Sequence, residues 1–459
     1  MAEETQKLKW TTKLVYGVGD FGNAMIASAI TFFLLAFYTD AAYVNAAVAS
    51  TALAVGKIVW DSVNDLLFGW LSDRTTNKRF GKRRVYMIFG ALPLGLTIAL
   101  LWFVPEGLSD AGAFLWVLGT FVLFDTLFTL TAVPYYALTA ELTEDYDERA
   151  SLTTFRMALG VPAYLIGAAV TPLIVSFFEV KRTGYFVAGL IYAVVNVLSL
   201  LGAAAGVRER TAISGQKSEA PPVRAFLTTF RNRPFVRLIV AYLIANMSFT
   251  LVQTLLYYFL TYQIGMEEGQ ISIVLALLLV SIGLFLFPWK MLSDRINKGP
   301  AYAAGLALGG LTVASTFLLP PGPTPWIYVI AVVAGIGFST NWVFPWAMVP
   351  DVVEYDRLET NEHRGGMYYG VWGFTQKLTQ ALGIAASGWV LTLFGYVEGG
   401  AAQSARTLLG IRLFMGPVPL VVFLIALPLL FRFPITRASH AAVRRQLAMR
   451  EAAAAPSDL

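Results

Sequence analysis

Two aspartates one helical turn apart, Asp61 and Asp65, are the residues of this chain with the clearest potential for chemistry. They lie within residues 51–72, a stretch that is otherwise apolar enough to span a membrane. A charged side chain at the centre of a bilayer costs roughly 2.5 to 3.5 kcal/mol on insertion scales, so such residues usually mark the path of an ion or a substrate. The pair therefore predicts a functional site inside the membrane.

A polar stripe surrounds the two aspartates. At about 100° per residue in a helix, Asp61 and Asp65 project about 40° apart, with Asn64 beside them and Lys57 one turn earlier. Two carboxylates held together in a low dielectric repel each other, and a bound Na⁺ or H⁺ would relieve that repulsion. Hard cations prefer the oxygen ligands that this stripe offers. Alternatively, Asp61 and Lys57 form a buried ion pair that only joins helices, which would leave Asp65 uncompensated.

The composition is that of an integral membrane protein. Of the 459 residues, 57% are hydrophobic and 14% are charged, against about 25% charged residues in soluble domains. A spanning helix needs about 20 mainly apolar residues. Twelve such stretches begin near residues 14, 46, 85, 112, 152, 184, 235, 268, 300, 325, 367 and 411. We therefore predict an all-α membrane protein with 12 transmembrane helices, and the lack of cysteine excludes thiol chemistry.

Lysine and arginine cluster in alternate connections between the predicted helices. They lie before the first helix, after the second, in the middle of the chain and at its end, whereas residues 40–46 and 105–111 carry none. By the positive-inside rule, both termini are then cytoplasmic in a multi-pass protein of the plasma (inner) membrane. The first helix carries Asp20 and Asn23 and lacks a cleavage site, so we expect a retained helix and not a signal peptide.

One long polar linker containing proline and serine, residues 209–233, divides the predicted helices into two sets of six. We expect an amino-terminal six-helix bundle over residues 1–208 and a carboxyl-terminal bundle over residues 234–435. Residues 436–459 would form a cytoplasmic tail.

The two halves echo each other in sequence. Residues 71–74 read Leu-Ser-Asp-Arg and recur as residues 292–295, an offset of 221 residues, which also separates Arg156 from Lys377. Parallel repeats of six helices are the signature of the major facilitator fold, in which the substrate site lies near the membrane midplane between the halves. We predict that fold.

Over nearly its whole length the chain resembles the glycoside-pentoside-hexuronide:cation symporters, a melibiose permease-like family. The motifs that carry the resemblance are YGVGDFGN (16–23), WDSVNDLLFGWLSDRT (60–75), KRFGKRR (78–84), VPYYAL (133–138) and GMYYGVWGFTQK (366–377). The resemblance implies cation-coupled (Na⁺ or H⁺) secondary active symport of a sugar, glycoside or similar polar solute by alternating access.

The resemblance also assigns a cation site. The positions that match the family's cation ligands are Asp61, Asn64, Asp65 and Thr129, so the two aspartates are expected to act as Na⁺ ligands. Where the family motif usually continues with proline, this chain has Leu66, so the local helix geometry is open.

Polar and aromatic side chains at membrane depth form the predicted substrate cavity. Flat rings stack on the apolar face of a sugar while charged groups bind its hydroxyls, within mainly apolar walls. Each ring is alternatively an anchor at the membrane interface or a core residue. The candidate substrate residues are Asp20, Asn23, Tyr136, Arg156, Trp372 and Lys377.

The identity of the solute stays open. Two carboxylates that hold the sugar in the melibiose carrier fall on Ala24 and Ala132, so the resemblance implies the fold and the cation coupling but not a galactoside specificity. Because the family resemblance includes sodium-coupled lysophospholipid carriers, a lysophospholipid-like amphiphile is the alternative solute.

Charged residues at the cytoplasmic helix ends form a predicted gate. Residues 73–84 resemble the cytoplasmic loop of major facilitator carriers, in which an acidic residue and arginines bridge helix ends. Such charge runs are alternatively topology signals. The gate candidates are Asp73, Arg74, Arg83, Arg84, Asp294 and Arg295.

Two other classes of function compete with transport. A membrane transferase with Mg²⁺ on Asp61 and Asp65 would be expected to place its acidic motif at the membrane surface, whereas here the pair lies inside a helix. A sensor would bind the solute without moving it. We expect no enzyme, no cofactor besides the coupling cation, no nucleic-acid partner, and a carrier of a small-molecule solute that functions as a monomer.

Overall fold

The computed structural model describes residues 8–77, 79–143, 145–207, 209, 229–360, 365–400 and 402–454. These residues form helices and connecting turns, and none of them forms a strand. The prediction of an all-α membrane protein is confirmed. Most of the predicted linker, residues 210–228, lies outside the described residues.

The helices follow the predicted spans closely. Before the linker they are α1 (Trp10–Ala36), α2 (Ala46–Val55), α3 (Asp61–Arg74), α4 (Arg84–Leu101), α5 (Asp110–Leu142), α6 (Tyr146–Ser176) and α7 (Lys181–Gly206). After it they are α8 (Arg233–Tyr258), α9 (Glu268–Ile296), α10 (Lys298–Ser315), α11 (Trp326–Thr360), α12 (Gly365–Leu393), α13 (Ala405–Met415), α14 (Pro417–Phe431) and the tail helix α15 (Arg437–Ala454).

Within the described ranges, eleven helical segments are long and apolar enough to cross a membrane. Two of them are composite, because Ala46–Ser72 includes α2 and α3, and Ala405–Phe431 includes α13 and α14. The remaining predicted span is α12, which is 29 residues long and carries Gln376, Lys377 and Gln380. The twelve-helix fold is confirmed, and α12 is the span whose polar side chains most need an explanation.

The helices pack as two similar halves. In the first half α1 packs against α6 and α7, and in the second α8 packs against α12 and α14. Between the halves α2 packs on α12, and α6 packs on α9. The second span of the first half begins with α2, and the second span of the second half is α9. Because α6 and α12 are the fifth spans of their halves, each contact joins a second span to the fifth span of the other half, and the two contacts are equivalent. The sequence repeat is therefore also a repeat of packing.

Among the residues that the structure describes, three π-helical turns interrupt the α-helices. Such turns are rare and occur frequently at functional sites. Phe37–Ala41 follows α1 and Phe259–Gln263 follows α8, so the first span of each half ends in the same way, 222 residues apart. The third turn, Gly56–Trp60, joins α2 to α3 immediately before Asp61. This turn widens the helix next to the acidic pair. The sequence alone does not determine the helix geometry there, because Leu66 stands where the family motif usually has proline.

The end of the molecule opposite the two termini, which we call the far end, contains a buried carboxylate between the halves. Asp40, in the π-helical turn after α1, is 4% exposed. It accepts hydrogen bonds from Tyr262 (2.7 Å) and Tyr396 of the second half, and from Thr39 (2.8 Å). Hydroxyl donors satisfy a buried carboxylate that would otherwise be costly. The sequence analysis treats residues 40–46 only as a loop without basic residues and does not predict this contact.

Further contacts also close the far end. Lys181 Nζ lies 2.8 Å from Glu268 Oε1, and Asn45 Nδ2 donates to Glu398 Oε1 at 3.2 Å. In both contacts one partner belongs to each half. The far end is therefore held by polar contacts between the halves as well as by packing.

The opposite end, which we call the near end, has ion pairs that join helices of the same half. These are Lys13 with Glu148 (3.0 Å), Arg83 with Glu141 (2.8 Å) and Lys298 with Asp351 (2.6 Å). The hydrogen bond from Lys13 holds the pKa of the Glu148 carboxyl below its usual value. These pairs stabilise each half and do not tie the halves together.

The close approach of α12 to α2 gives a first prediction. A Cβ added at Gly388 would meet both the backbone oxygen of Ala46 and the Cβ of Ser50 at 2.4 Å. Overpacking costs about 1–3 kcal/mol, so we expect Gly388→Val to increase the population of the state with an open far end about tenfold or more. The measurement is alkylation of a single cysteine at Gln253, inside the far end of α8, by a membrane-impermeant reagent added from the far side.

The matched control is Gly373→Val on the same helix, because a Cβ there meets nothing within 4 Å. The cysteine-free sequence makes the introduced thiol the sole target. Equal alkylation rates in the two variants would show that the approach of α12 to α2 does not hold the far end closed.

Candidate functional site

The acidic pair lies in the first turns of α3 and meets a lysine from the other half. Asp61 is 5% exposed, whereas the side chain of Asp65 is 46% exposed and thus faces accessible space. Lys377 Nζ of α12 donates to Asp61 Oδ1 at 2.6 Å and to Asp65 Oδ2 at 2.5 Å, and also to the Asp61 backbone oxygen at 3.0 Å. One ammonium therefore bridges both carboxylates across the two halves.

Lys57 is a second cation at the pair. It lies in the π-helical turn before α3, with its Nζ 3.8 Å from Asp61 Oδ2. The ion pair considered from the sequence is therefore present. Asp65 is nevertheless compensated, because Lys377 supplies the partner that the sequence left missing.

Asn64 connects the pair to α5. Its side chain is 1% exposed, and its Nδ2 donates to Asp125 Oδ2 and to the Asp125 backbone oxygen, both at 3.0 Å. The carbonyl oxygen of the same amide, Asn64 Oδ1, is buried and has no hydrogen-bond partner. An unpaired buried acceptor is costly, and this oxygen beside the pair is free to bind a donor or a cation.

Thr129 lies one turn after Asp125 on α5 and is 3% exposed. Residues four apart share a helix face, so its hydroxyl and the Asp125 carboxylate are on the same side of α5. Among the described residues, no three acidic or histidine side chains come together as a metal site. Because Lys377 is paired with both carboxylates, the predicted cation ligands are neighbours but do not surround a common binding position.

A second charged cluster lies on α1, α5 and α6. Asp20 Oδ1 accepts a hydrogen bond from the Tyr136 hydroxyl at 3.1 Å. Arg156 lies with its guanidinium carbon 4.8 Å from the Tyr136 ring centroid and its Nε 3.9 Å from Asp20 Oδ2. That Nε is buried and donates to no acceptor. The structure thus brings three predicted substrate residues together and leaves one guanidinium donor available.

The other predicted substrate residues lie elsewhere. Asn23 is 2% exposed and accepts a hydrogen bond from Asn196 at 2.9 Å inside the first half. Trp372 is fully buried inside the second half and stacks on Tyr242, with ring centroids 4.2 Å apart. The sequence analysis assigns Lys377 to the substrate cavity, whereas the structure places its ammonium on the acidic pair.

The contacts described for the predicted gate residues each stay within one half. They are Arg83 with Glu141 (2.8 Å), Arg84 with the Ala204 backbone oxygen (2.6 Å), Arg74 over the Trp70 ring (4.1 Å) and Asp294 with Lys290 (2.7 Å). Arg295 is exposed, and the side chain of Asp73 lies outside the described residues.

The sequence analysis missed two features of the acidic pair. Asp125, which accepts a hydrogen bond from Asn64, is not named among the candidates, although a carboxylate one turn before Thr129 in an apolar helix was a usable signal. The sequence analysis also separates Lys377 from Asp65, because 312 positions lie between them and only the packing of α12 on α2 and α3 brings them together.

Two six-span halves with charged side chains at membrane depth define a multi-pass membrane transporter of the major facilitator class. Residues 15–437 match the family described as MFS/sugar transport protein. The chain belongs to that family.

Full-length relatives share about a quarter of the sequence. An uncharacterized symporter of Synechocystis sp. is 28% identical, over 97% of this chain and 98% of its own. The sodium-dependent lysophosphatidylcholine symporter 1 of Gallus gallus is 27% identical, over 94% of this chain and 88% of its own. The sphingosine-1-phosphate transporter MFSD2B of Xenopus tropicalis is 28% identical, over 94% and 89%. These relatives are named as symporters or transporters.

Solved structures support the fold. The nucleoside transporter NupG has a TM-score of 0.62 at 14% identity, covering 92% of this chain and 98% of its own. A variant of the same transporter reaches 0.65 at 15% identity, over 90% and 99%. At this identity the similarity concerns the fold alone.

Proposed function

We propose that this protein is a cation-coupled symporter in which the coupling cation and Lys377 compete for the Asp61–Asp65 pair. The observation that carries this proposal is the ammonium of Lys377, which bridges both carboxylates from the opposite half. A cation bound between the aspartates would displace that ammonium. Cation binding would thereby break a link between the halves.

This exchange supplies the coupling. A cation that releases Lys377 changes the relation of α12 to α3 and so the cavity between the halves, which favours solute binding. By linkage, the solute raises the affinity for the cation by the same factor. One charge that moves through 100 mV is worth about 2.3 kcal/mol, which is sufficient to drive accumulation. The halves then rock about the site to expose it to the other side.

The Asp20, Tyr136 and Arg156 cluster is the proposed solute site. A carboxylate, a hydroxyl on a flat ring and a guanidinium with a free Nε suit the hydroxyl or anionic groups of a polar solute. We propose a sugar, glycoside or similar polar solute. Its polar groups would take the place of the long Asp20–Arg156 contact.

One observation favours the alternative, a lysophospholipid-like amphiphile. A cleft between α8, α9 and α11 is lined almost wholly by apolar side chains, among them Phe32, Phe249, Val274 and Phe338, with Gln253 as a polar exception. An acyl chain prefers such walls. Two of the relatives are named for lysophosphatidylcholine and sphingosine-1-phosphate.

We propose that the near end and both termini face the cytoplasm of the cell membrane, as the clustering of basic residues indicates. The polar contacts between the halves at the far end then make this the inward-facing state. The carrier functions as a monomer, with the solute site formed by one chain.

The experiment that tests this function is solute uptake into proteoliposomes under an imposed Na⁺ or H⁺ gradient. We expect one gradient to drive accumulation, with competition by glycosides if the solute is a sugar and by lysophospholipids if it is an amphiphile. Equal uptake with and without both gradients would contradict symport.

Arg156 gives a prediction that separates the two sites. We expect Arg156→Lys to lower solute affinity about tenfold or more, because lysine lacks the planar set of guanidinium donors and the Nε. Cation binding measured by calorimetry without solute should stay near that of the unsubstituted protein. Arg237→Lys, at an arginine whose described hydrogen bond is to an exposed backbone oxygen, is the control. Loss of cation binding in Arg156→Lys alone would contradict the separation.

A further inference from the structure

We propose that Asp125 belongs to the cation site as the residue that positions Asn64 for the cation. This inference rests on the proposed function and adds to it a positioning residue. The coupling ion is then a metal cation of the Na⁺ type, since an amide and carboxylates are its ligands.

The contact that joins Asp125 to the site is made by Asn64. One amide group donates from Nδ2 to Asp125 Oδ2 at 3.0 Å and presents its Oδ1 without a partner. Both side chains are at least nine-tenths buried, at 1% and 6% exposed. A hard cation would be the missing partner of the free Asn64 Oδ1, because such cations bind amide and carboxylate oxygens together.

The charges give the second argument. Within the described part of the chain, no basic side chain lies within ion-pair distance of Asp125, whereas Asp61 and Asp65 are both paired.

Asp125 is therefore the carboxylate beside the acidic pair that is bound to the Asn64 amide and not to a lysine. Its Oδ2 holds one end of that amide and so directs the free Oδ1.

The test is a titration of the purified full-length protein with NaCl by calorimetry, at constant ionic strength set by choline chloride. We expect Na⁺ to bind at least about tenfold more weakly to Asp125→Asn than to the unsubstituted protein. Asp125→Glu keeps the carboxylate that accepts from Asn64 and should bind Na⁺ more tightly than Asp125→Asn.

Two outcomes would overturn the inference: unchanged Na⁺ affinity in Asp125→Asn, or an affinity in Asp125→Glu no tighter than in Asp125→Asn when both unfold at the same temperature as the unsubstituted protein. Asp61→Asn distinguishes this failure from that of the proposed function. If Asp61→Asn loses Na⁺ binding while Asp125→Asn keeps it, the cation site stands without Asp125. If both keep it, the acidic pair is not the cation site.

Discussion

Asp61→Asn is expected to abolish cation-driven accumulation of solute while leaving the protein folded. Asp61 is the buried member of the pair and is in contact with both Lys377 and Lys57. The amide keeps the shape of the side chain but removes the charge that holds either a cation or an ammonium. Uptake into proteoliposomes should then become independent of the cation gradient, so that solute only equilibrates.

The control for this variant is Asp110→Asn, at an exposed aspartate in the first turn of α5. It removes the same charge from a helix terminus, where the effect is about 0.3–1 kcal/mol, and should transport normally. Asp65→Asn should also lower the cation-driven accumulation of solute, as Asp61→Asn does. Accumulation at the level of the unsubstituted protein in both Asp61→Asn and Asp65→Asn would mean that the pair does not couple.

Lys377→Met is expected to separate net uptake from exchange. In the cation-free carrier Lys377 pairs with both carboxylates, of which Asp61 is buried, and removing one partner of a buried ion pair costs about 3–5 kcal/mol. The unloaded carrier would then pass between its inward-facing and outward-facing states at least roughly a hundredfold more slowly. Exchange of labelled for unlabelled solute at saturating cation needs only the loaded carrier, so it should persist.

The measurement for Lys377→Met is the ratio of exchange rate to net uptake rate in the same vesicles. Lys290→Met is the matched control, because Lys290 forms an exposed pair with Asp294 that contributes about 0–1 kcal/mol. If Lys377→Met lost exchange and net uptake equally, Lys377 would not act in the empty carrier.

The sequence predicts the fold because the signals of membrane insertion are local. Each spanning segment is a run of apolar residues whose length is set by the bilayer, so α4 and α9 appear within a few residues of the predicted positions. The tail helix Arg437–Ala454 and the π-helical turns are not predicted, because neither follows from mean hydropathy.

The site was predictable in part. Asp61, Asn64 and Asp65 lie on one helix, so the helical repeat already places them together. The partners from other helices could not be predicted in this way, because only the packing of α12 and α5 brings Lys377 and Asp125 to α3. The same limit applies to Asp40, whose tyrosine partners lie 222 and 356 positions away.

In the proposed mechanism Asp61 and Asp65 hold the cation that moves with the solute. The most direct test starts with equal radioactive Na⁺ on both sides of proteoliposome membranes and imposes an inward gradient of the transported solute. We predict that the solute gradient drives Na⁺ uptake above equilibrium in the unsubstituted protein and not in the variant with both Asp61→Asn and Asp65→Asn. Solute-driven Na⁺ uptake that persists in that double variant would contradict it.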